Sequence, residues 1–283
     1  MLLGSGMMLV AIAFKLSVAP FHLWTPDVYQ GAPAPVGAFL ATASKLAVFA
    51  VFLRFLVTVP ATTADSFRDL IGLFAVLSIL VGNLLALSQT NLKRLLGYSS
   101  IAHFGYLLVA VMANLVISLE AILVYLIVYA VATLGAFAVL ALMSRAGQER
   151  DADSLADYRG LFWTHPALAV AFTLMLLSLA GIPFTAGFIG KFYIFTVGVE
   201  AKLWLLLGVV VVGSAIGVFY YLRTMVALFQ RAEAATSLQL GRDWGQRTGG
   251  MVVLALFTLT LVVGVYPQPL LDLLHYLMAS GQG

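Results

Sequence analysis

Three lysines, Lys15, Lys45 and Lys191, stand in apolar surroundings, in Ala13-Phe14-Lys15-Leu16, Ala43-Ser44-Lys45-Leu46 and Ile189-Gly190-Lys191-Phe192. An ionised lysine at the centre of a bilayer costs about 2.5–3.5 kcal/mol on insertion scales, so three of them call for a role. Burial disfavours the charged form of an amine, which suits such a side chain to take up and give back a proton. Snorkelling, with the ammonium reaching the headgroups, is the competing reading and weighs most for Lys15, near the end of its half-helix. Histidine suits proton exchange as well. His22 directly follows the first proline break, and His103 lies mid-helix in Tyr98-Ser99-Ser100-Ile101-Ala102-His103. Tyr98 and His103 are five residues apart, and Tyr125, Tyr129 and Thr133 follow i, i+4, i+8, which places a polar stripe towards a helix-bundle interior. That stripe either hydrogen-bonds and orders water along a proton path or holds helices together. His165 and His275 read as interfacial. No metal-ligand spacing, nucleophile triad, phosphate loop or dinucleotide fingerprint is present, so no residue is assigned to covalent catalysis, cofactor binding or metal binding.

The elements that must position these residues are membrane helices. Of 283 residues 62% are hydrophobic and 10% charged, with a mean hydropathy of +1.04; a soluble domain is about 25% charged. The apolar runs are continuous rather than alternating, and several exceed the roughly 20 residues that cross a bilayer. The fold class is all-α, a polytopic bundle of about eight spans near 2–19, 36–57, 69–89, 94–114, 119–143, 166–197, 202–229 and 250–274. Proline interrupts two of them, at Ala19-Pro20-Phe21 and at Gly181-Ile182-Pro183-Phe184. Each break has a lysine near it, whereas Lys45 is read as mid-span on an unbroken helix. Interrupted helices in corresponding positions are the mark of inverted-repeat transporters. Residues 1–57 thus read as the end of a first repeat, 69–229 as a second and 250–274 as a final helix, all in one transmembrane domain.

The net charge of +3 does not point to nucleic acid, because no basic stripe exists. Lys93, Arg94, Arg145, Arg150, Arg159, Arg223, Arg231, Arg242 and Arg247 fall on one side of the membrane, against Arg54, Arg68 and Lys202 on the other. By the positive-inside rule the loops after spans 1, 3, 5 and 7 are cytoplasmic and the C-terminus is periplasmic. The stretch from Arg145 to Arg159 reads as a solvated loop. Met1 opens into apolar sequence without the pattern of a signal peptide. Cysteine is absent, which excludes disulfides, zinc–thiolate sites and cysteine-held iron–sulfur clusters for this chain.

Three stretches, FKLSVAPFHLWTPDVYQGAPAPVGAFLATASK at Phe14–Lys45, NLKRLLGYSSIAHFGYLLVA at Asn91–Ala110 and LSLAGIPFTAGFIGKFYIF at Leu177–Phe195, resemble the subunit N family of bacterial NADH–quinone oxidoreductase, respiratory complex I. The mitochondrial counterpart is NADH dehydrogenase subunit 2. The sister antiporter-like subunits L and M share the broken helices but carry a histidine-containing HAATMV-type run opposite Lys45, so PDVYQGAP and ATASK favour N. The resemblance implies a proton-translocating membrane-arm subunit, a translocase driven by quinone reduction in other subunits. It implies a hydrophilic axis in which Lys15 is the central lysine of the first half-channel beside His22, Lys45 bridges to the second, His103 continues the path and Lys191 ends it. Tyr98, Tyr125, Tyr129 and Thr133 support that axis. NADH, FMN, iron–sulfur clusters and quinone are expected on partner subunits, with no cofactor in this chain. The partners implied are the antiporter-like M subunit on one side, small K- and J-type subunits on the other, and the lipid of a bacterial inner membrane. The resemblance also places the start of this chain just before the family's seventh helix, so that the glutamate expected opposite Lys15 is missing and Glu120, near a helix end, cannot replace it. A fragment, or a chain whose N-terminal half is elsewhere, is therefore expected. A subunit of a multi-subunit cation/proton antiporter is the alternative, and a purely structural membrane spacer a third reading.

Overall fold

A computed structural model describes residues 2–58, 61–113, 115–144, 151–231 and 244–280. Among these the regular elements are helices: α1 (Leu2–Leu16), α2 (Trp24–Gly31), α3 (Ala34–Ala41), α4 (Ala43–Thr58), α5 (Ala61–Leu87), α6 (Leu92–Met112), α7 (Leu115–Met143), α8 (Leu161–Thr164), α9 (Pro166–Ala180), α10 (Ala186–Glu200), α11 (Trp204–Phe229), α12 (Trp244–Val265) and α13 (Gln268–Ser280). Six stretches are long and apolar enough to cross a membrane, Ala34–Thr58, Phe67–Leu87, Leu92–Met112, Ser118–Met143, Trp204–Phe229 and Thr248–Val265, with Leu3–Leu16 and Pro166–Ala180 as shorter apolar helices. The all-α polytopic reading of about eight spans holds.

Both expected breaks are present and close in the same way. At the first, Ser17 has φ 62° and the Val18 N–H reaches back to the Ala13 carbonyl at 2.9 Å. At the second, Gly181 has φ 80° and the Ile182 N–H donates to the Leu177 carbonyl at 3.1 Å. A residue in the left-handed region followed by a bond reaching five residues back is the Schellman way of ending a helix. The peptide bonds lost at each end are thereby answered inside the protein, as the bilayer requires.

Three span boundaries differ from the sequence reading. The first break is followed by a second half-helix, α2, whose sequence WTPDVYQG is too short and polar to register as a span. The helix carrying Lys45 is not unbroken, because Thr42 (φ −116°, ψ −88°) separates α3 from α4 and its hydroxyl turns back onto the Ala38 carbonyl at 2.6 Å. Lys45 therefore stands at the start of α4, beside an interruption. The final span stops at Val265, and the separate α13 starts at Gln268, just after Pro267, since proline cannot continue the ladder. His275 on α13 pairs with Glu120 on α7 at 3.1 Å.

The centre of the bundle is α6, buried along nearly its whole length. Its small residues let α5 come close: a Cβ on Gly105 would stand 2.8 Å from the Ile79 side chain and 2.9 Å from its backbone nitrogen. This places Ser99, Ser100, His103 and Tyr106 in the interior.

The basic ends gather at one face. Buried Lys93 donates to the Ala32 carbonyl at 2.9 Å and to Asp151 Oδ2 at 3.0 Å, with Asp153 at 3.6 Å. Arg94 pairs with Asp27 and donates to Gln30 at 3.0 Å. Arg223 donates to the Leu87 and Gln89 carbonyls at 2.7 and 2.5 Å. The stretch read as a solvated loop is thus, in its described part, a strap. Leu92 N–H donates to Asp153 O at 2.6 Å and Leu155 N–H to Thr90 O at 2.8 Å, while Tyr158 is fully buried and donates to the Ala152 carbonyl at 2.8 Å. Asp151 and Asp153 are taken up by Lys93, remote in sequence, which the loop's own composition does not reveal. Arg145, Arg150, Arg242 and the Arg247 side chain lie outside the described residues.

Candidate functional site

The polar interior begins at Lys45, 1% exposed. Its Nζ donates to Ser100 Oγ at 2.7 Å and lies 4.9 Å from the centre of the Phe104 ring. α4 supplies the amine, α6 supplies the hydroxyl, and the ring face adds cation–π attraction where water is scarce. Ser100 is also bonded by the Tyr129 hydroxyl at 2.8 Å, which lies 3.0 Å from the Ala41 carbonyl as well. That carbonyl ends α3 at the Thr42 interruption, so the interruption provides an acceptor for the cluster.

His103 is three residues on from Ser100 along α6, on the same side of the helix. Its Nδ1 meets the Tyr125 hydroxyl at 2.7 Å and its Nε2 the Tyr221 hydroxyl at 3.3 Å, and Tyr221 bonds Ser99. The Tyr129 ring packs 5.3 Å from the imidazole, centroid to centroid. Tyr125 and Tyr129, one turn apart on α7, thus face the two ends of one polar run on α6. Between His103 and Lys191 is a cavity with about 10 Å³ of room for a water centre, lined among others by Tyr125, Tyr129, Ser178 and Lys191. That is room for a single water beside these polar groups, in a lining that also includes Val128, Ala132 and Leu179.

Lys191 is partly buried and donates to the Ala180 carbonyl at 2.7 Å, the last residue of α9 before the break. The C-terminal end of a helix carries unpaired carbonyls and a partial negative charge, which an ammonium complements. Gly181 makes the approach possible, because a Cβ there would stand 2.6 Å from Lys191 Cδ. The ammonium also lies 5.3 Å from the Tyr106 ring centre. Tyr106 accepts from Asn83 Nδ2 at 3.0 Å, and Tyr220 donates to Asn83 Oδ1 at 3.2 Å.

The structure brings Lys45, His103, Lys191, Tyr125 and Tyr129 together. Thr133 is buried and turned towards Tyr129, without closing a hydrogen bond. His22 is buried beside the first break, with the Pro20 backbone as a polar neighbour. Lys15 is exposed on the outer surface of the described residues and is not joined to this cluster. Tyr98 is half-buried and faces Arg94 rather than His103. Five residues turn a helix by about 500°, which leaves the two side chains roughly 140° apart. Sequence reasoning passed over Ser99, Ser100, Tyr106, Asn83, Tyr220 and Tyr221. The signal available was a hydroxyl or amide inside a charge-free apolar run, clearest at Tyr220-Tyr221. Among the described residues no group of three or more His, Asp or Glu could hold a metal ion.

This chain is 62% identical over 273 residues to NADH-quinone oxidoreductase subunit N of Ectopseudomonas mendocina, an alignment covering 96% of this chain and 55% of that protein. It is 56% identical over 283 residues to the protein of the same name from Chromohalobacter salexigens, covering 98% of this chain and 58% of that one. Its fold superposes with a TM-score of 0.80 on a chain of respiratory complex I from Thermus thermophilus solved with bound aureothin. The two are 40% identical, and the match covers 95% of this chain and 58% of that one. The chain therefore spans a little over half the length of the relatives it matches. Residues 1–217 match the transmembrane family described as NADH:quinone oxidoreductase/Mrp antiporter, and the chain belongs to that family.

Proposed function

We propose that this chain acts in proton translocation within the membrane arm of an NADH–quinone oxidoreductase, along the axis of Lys45, His103 and Lys191, driven by quinone reduction in other subunits. The observation that carries the reading is the continuity of the polar groups. From Lys45 through Ser100 and Tyr129 to His103, and across a water-sized cavity to Lys191, neighbouring groups are bonded, packed ring to ring or separated by room for one water. Buried ionisable groups lining up inside a membrane bundle mark a proton path. The names of the relatives support the choice of complex.

On this reading the protein sits in a bacterial inner membrane with a periplasmic C-terminus, between an antiporter-like M subunit and small K- and J-type subunits. NADH, FMN, iron–sulfur clusters and quinone belong to partner subunits. His22 and Lys15 act at the first broken helix. The matched closures at Ser17 and Gly181 support the view that the two breaks are corresponding positions of an inverted repeat, residues 1–57 and 69–229. A cation/proton antiporter subunit is the second reading, favoured by the breadth of the family description. Co-purifying chains decide between them: quinone-site and iron–sulfur subunits support the first, membrane subunits alone the second.

The direct test is Lys45→Ala and Lys191→Ala in the assembled complex, with proton uptake into vesicles measured against quinone reduction. Both variants are expected to assemble and to move fewer protons per quinone reduced, or to lose both activities together. An unchanged proton-to-electron ratio and rate in both would overturn the assignment.

A further inference from the structure

Asn83 on α5 is an amide deep in the bundle, 1% exposed. α11 makes room for it with two glycines: a Cβ on Gly213 would stand 3.0 Å from Asn83 Nδ2, and one on Gly217 3.3 Å from Asn83 Oδ1. The two ends of a side-chain amide are alike in shape, so its orientation has to be argued from its partners. Here one partner cannot reverse its role. Nδ2 lies 2.7 Å from the Ile79 carbonyl, and a carbonyl only accepts. The nitrogen therefore faces Ile79. Its second proton goes to the Tyr106 hydroxyl at 3.0 Å, which has Ser214 as a further hydrogen-bonding neighbour. Oδ1 is left for the Tyr220 hydroxyl at 3.2 Å, and since an amide oxygen only accepts, Tyr220 is the donor.

That fixed end sets directions further in. Tyr220 has spent its single proton on Asn83, so towards its other hydroxyl neighbours, Tyr221 and Ser99, it can only accept. Tyr221 is bonded to Ser99 and lies 3.3 Å from His103 Nε2. Ser99, Tyr220 and Tyr221 are each 1% exposed, so these groups have to satisfy one another. Four contacts need protons: Tyr220 with Tyr221, Tyr220 with Ser99, Tyr221 with Ser99, and Tyr221 with Nε2. If Nε2 carries a hydrogen, three protons serve them, from Tyr221, Ser99 and the ring. If Nε2 is bare, two remain and the ring takes that of Tyr221, which leaves Ser99 alone to separate two tyrosine oxygens. The other nitrogen agrees. The 2.7 Å contact of Nδ1 with the Tyr125 hydroxyl is shorter than that of Nε2, and bonds donated by O–H are shorter than those donated by N–H.

We propose that Asn83 is the positioning residue that sets the tautomer of His103: acting through Tyr220 and Tyr221, it holds the imidazole in the Nε2–H form and leaves Nδ1 as the atom that takes up a proton. Which ring nitrogen of a histidine is protonated follows from the hydrogen bond that the other one makes. The inference rests on the proton-translocating reading above and specifies the atom. Nδ1 gains the Tyr125 proton, and Tyr125 is reprotonated from the cavity shared with Lys191. Release returns one proton by the same route, while the Nε2 hydrogen and the bonds to Asn83 stay as they are.

The test is the 15N solid-state NMR signature of His103 in the assembled complex with labelled histidine, taken as the difference from His103→Gln. Wild type is expected to show Nε2–H. Tyr220→Phe keeps the bonds of Asn83 to Ile79 and Tyr106 and the ring contact with Tyr221, 4.4 Å between centroids. It removes the oxygen that claimed the Tyr221 proton, which can then turn to Nε2. Asn83→Leu returns the Tyr220 proton to the cluster, with the same result. Both variants are expected to shift His103 towards Nδ1–H and to lose part of their proton translocation, and the double variant to lose no more than the worse single. A merely structural Asn83 predicts lower thermal stability with the tautomer unchanged.

Nδ1–H in wild type, or Nε2–H retained in both variants, overturns the proposal. A shifted tautomer with undiminished translocation overturns Nδ1 as the proton-accepting atom. Should Asn83→Leu fail to assemble, wild type and Tyr220→Phe decide by the same criteria. The tautomer is read without turnover, so failure of the wider reading, seen as normal translocation by Lys45→Ala and Lys191→Ala, is distinguishable from failure here.

Discussion

The Lys45 ammonium is 2.7 Å from the Ser100 hydroxyl, and this is the single hydrogen bond of that ammonium among the described residues. An ammonium has three protons to donate, so a lysine held by one hydroxyl and one ring face changes its charge without dismantling a network.

Ser100 is accordingly a sensitive position. Ser100→Ala leaves a buried amine with no hydrogen-bonded partner and removes an acceptor of Tyr129. We expect a loss of about 1–3 kcal/mol in stability, seen as a lower melting temperature of the isolated complex, together with a severe loss of proton translocation. Ser100→Thr keeps the hydroxyl and is expected to retain most of the activity.

His103 is bonded through both ring nitrogens, to Tyr125 and Tyr221. Glutamine can bond in that setting but cannot take up a proton near neutral pH. His103→Gln is therefore expected to assemble normally and to lower proton translocation more than His103→Gln/Tyr125→Phe lowers it further; equal and independent losses from the two changes, measured in vesicles, would contradict a shared path.

Gly181→Ala meets two obstacles. The left-handed backbone there costs a side chain about 1–2 kcal/mol, and the new methyl collides with Lys191. Only the second is relieved by shortening the lysine. A cycle of Gly181→Ala, Lys191→Ala and the double variant should then show the double variant more stable than the sum of the singles, read from thermal unfolding of the complex.

Asp151 accepts from Lys93 at 3.0 Å and from the Ala34 N–H at 3.0 Å, and the Lys93 side chain is only 4% exposed. Asp151→Ala strips both donors, and a destabilisation of about 1–3 kcal/mol is expected. Asp151→Asn keeps an acceptor and should recover part of it. The loss should be felt first at the start of α3, so faster hydrogen exchange around Ala34–Gly37 is the local check.

What the sequence made legible follows from the range of the forces involved. Long apolar runs and prolines act locally, and the spans and both lysine-bearing breaks could be read from them. Tyr125 and Tyr129 could be read because helix periodicity fixes which side chains share a face. Tyr98 was misplaced on the same reasoning, since five residues do not return to one face. α2 was invisible because eight residues of mixed polarity carry no span signal, and the inward bond of Thr25 depends on Ser17 at the end of α1. The strap at Asp151–Tyr158 was read as solvated because its lysine comes from α6.

The anchoring of the α2–α3 junction has a mechanical consequence. Lys93 holds the Ala32 carbonyl, Asp151 holds the Ala34 amide, and Arg94 holds Asp27 and Gln30. The far end of α2 is tied instead to the end of α1, through Thr25 to Ser17 and Trp24 to the Phe14 carbonyl. One end is thus a fulcrum and the other rides on α1. A displacement of α1 is therefore expected to reach α2 at Trp24 and Thr25, while Arg94, Lys93 and Asp151 hold the stretch from Asp27 to Ala34 in place.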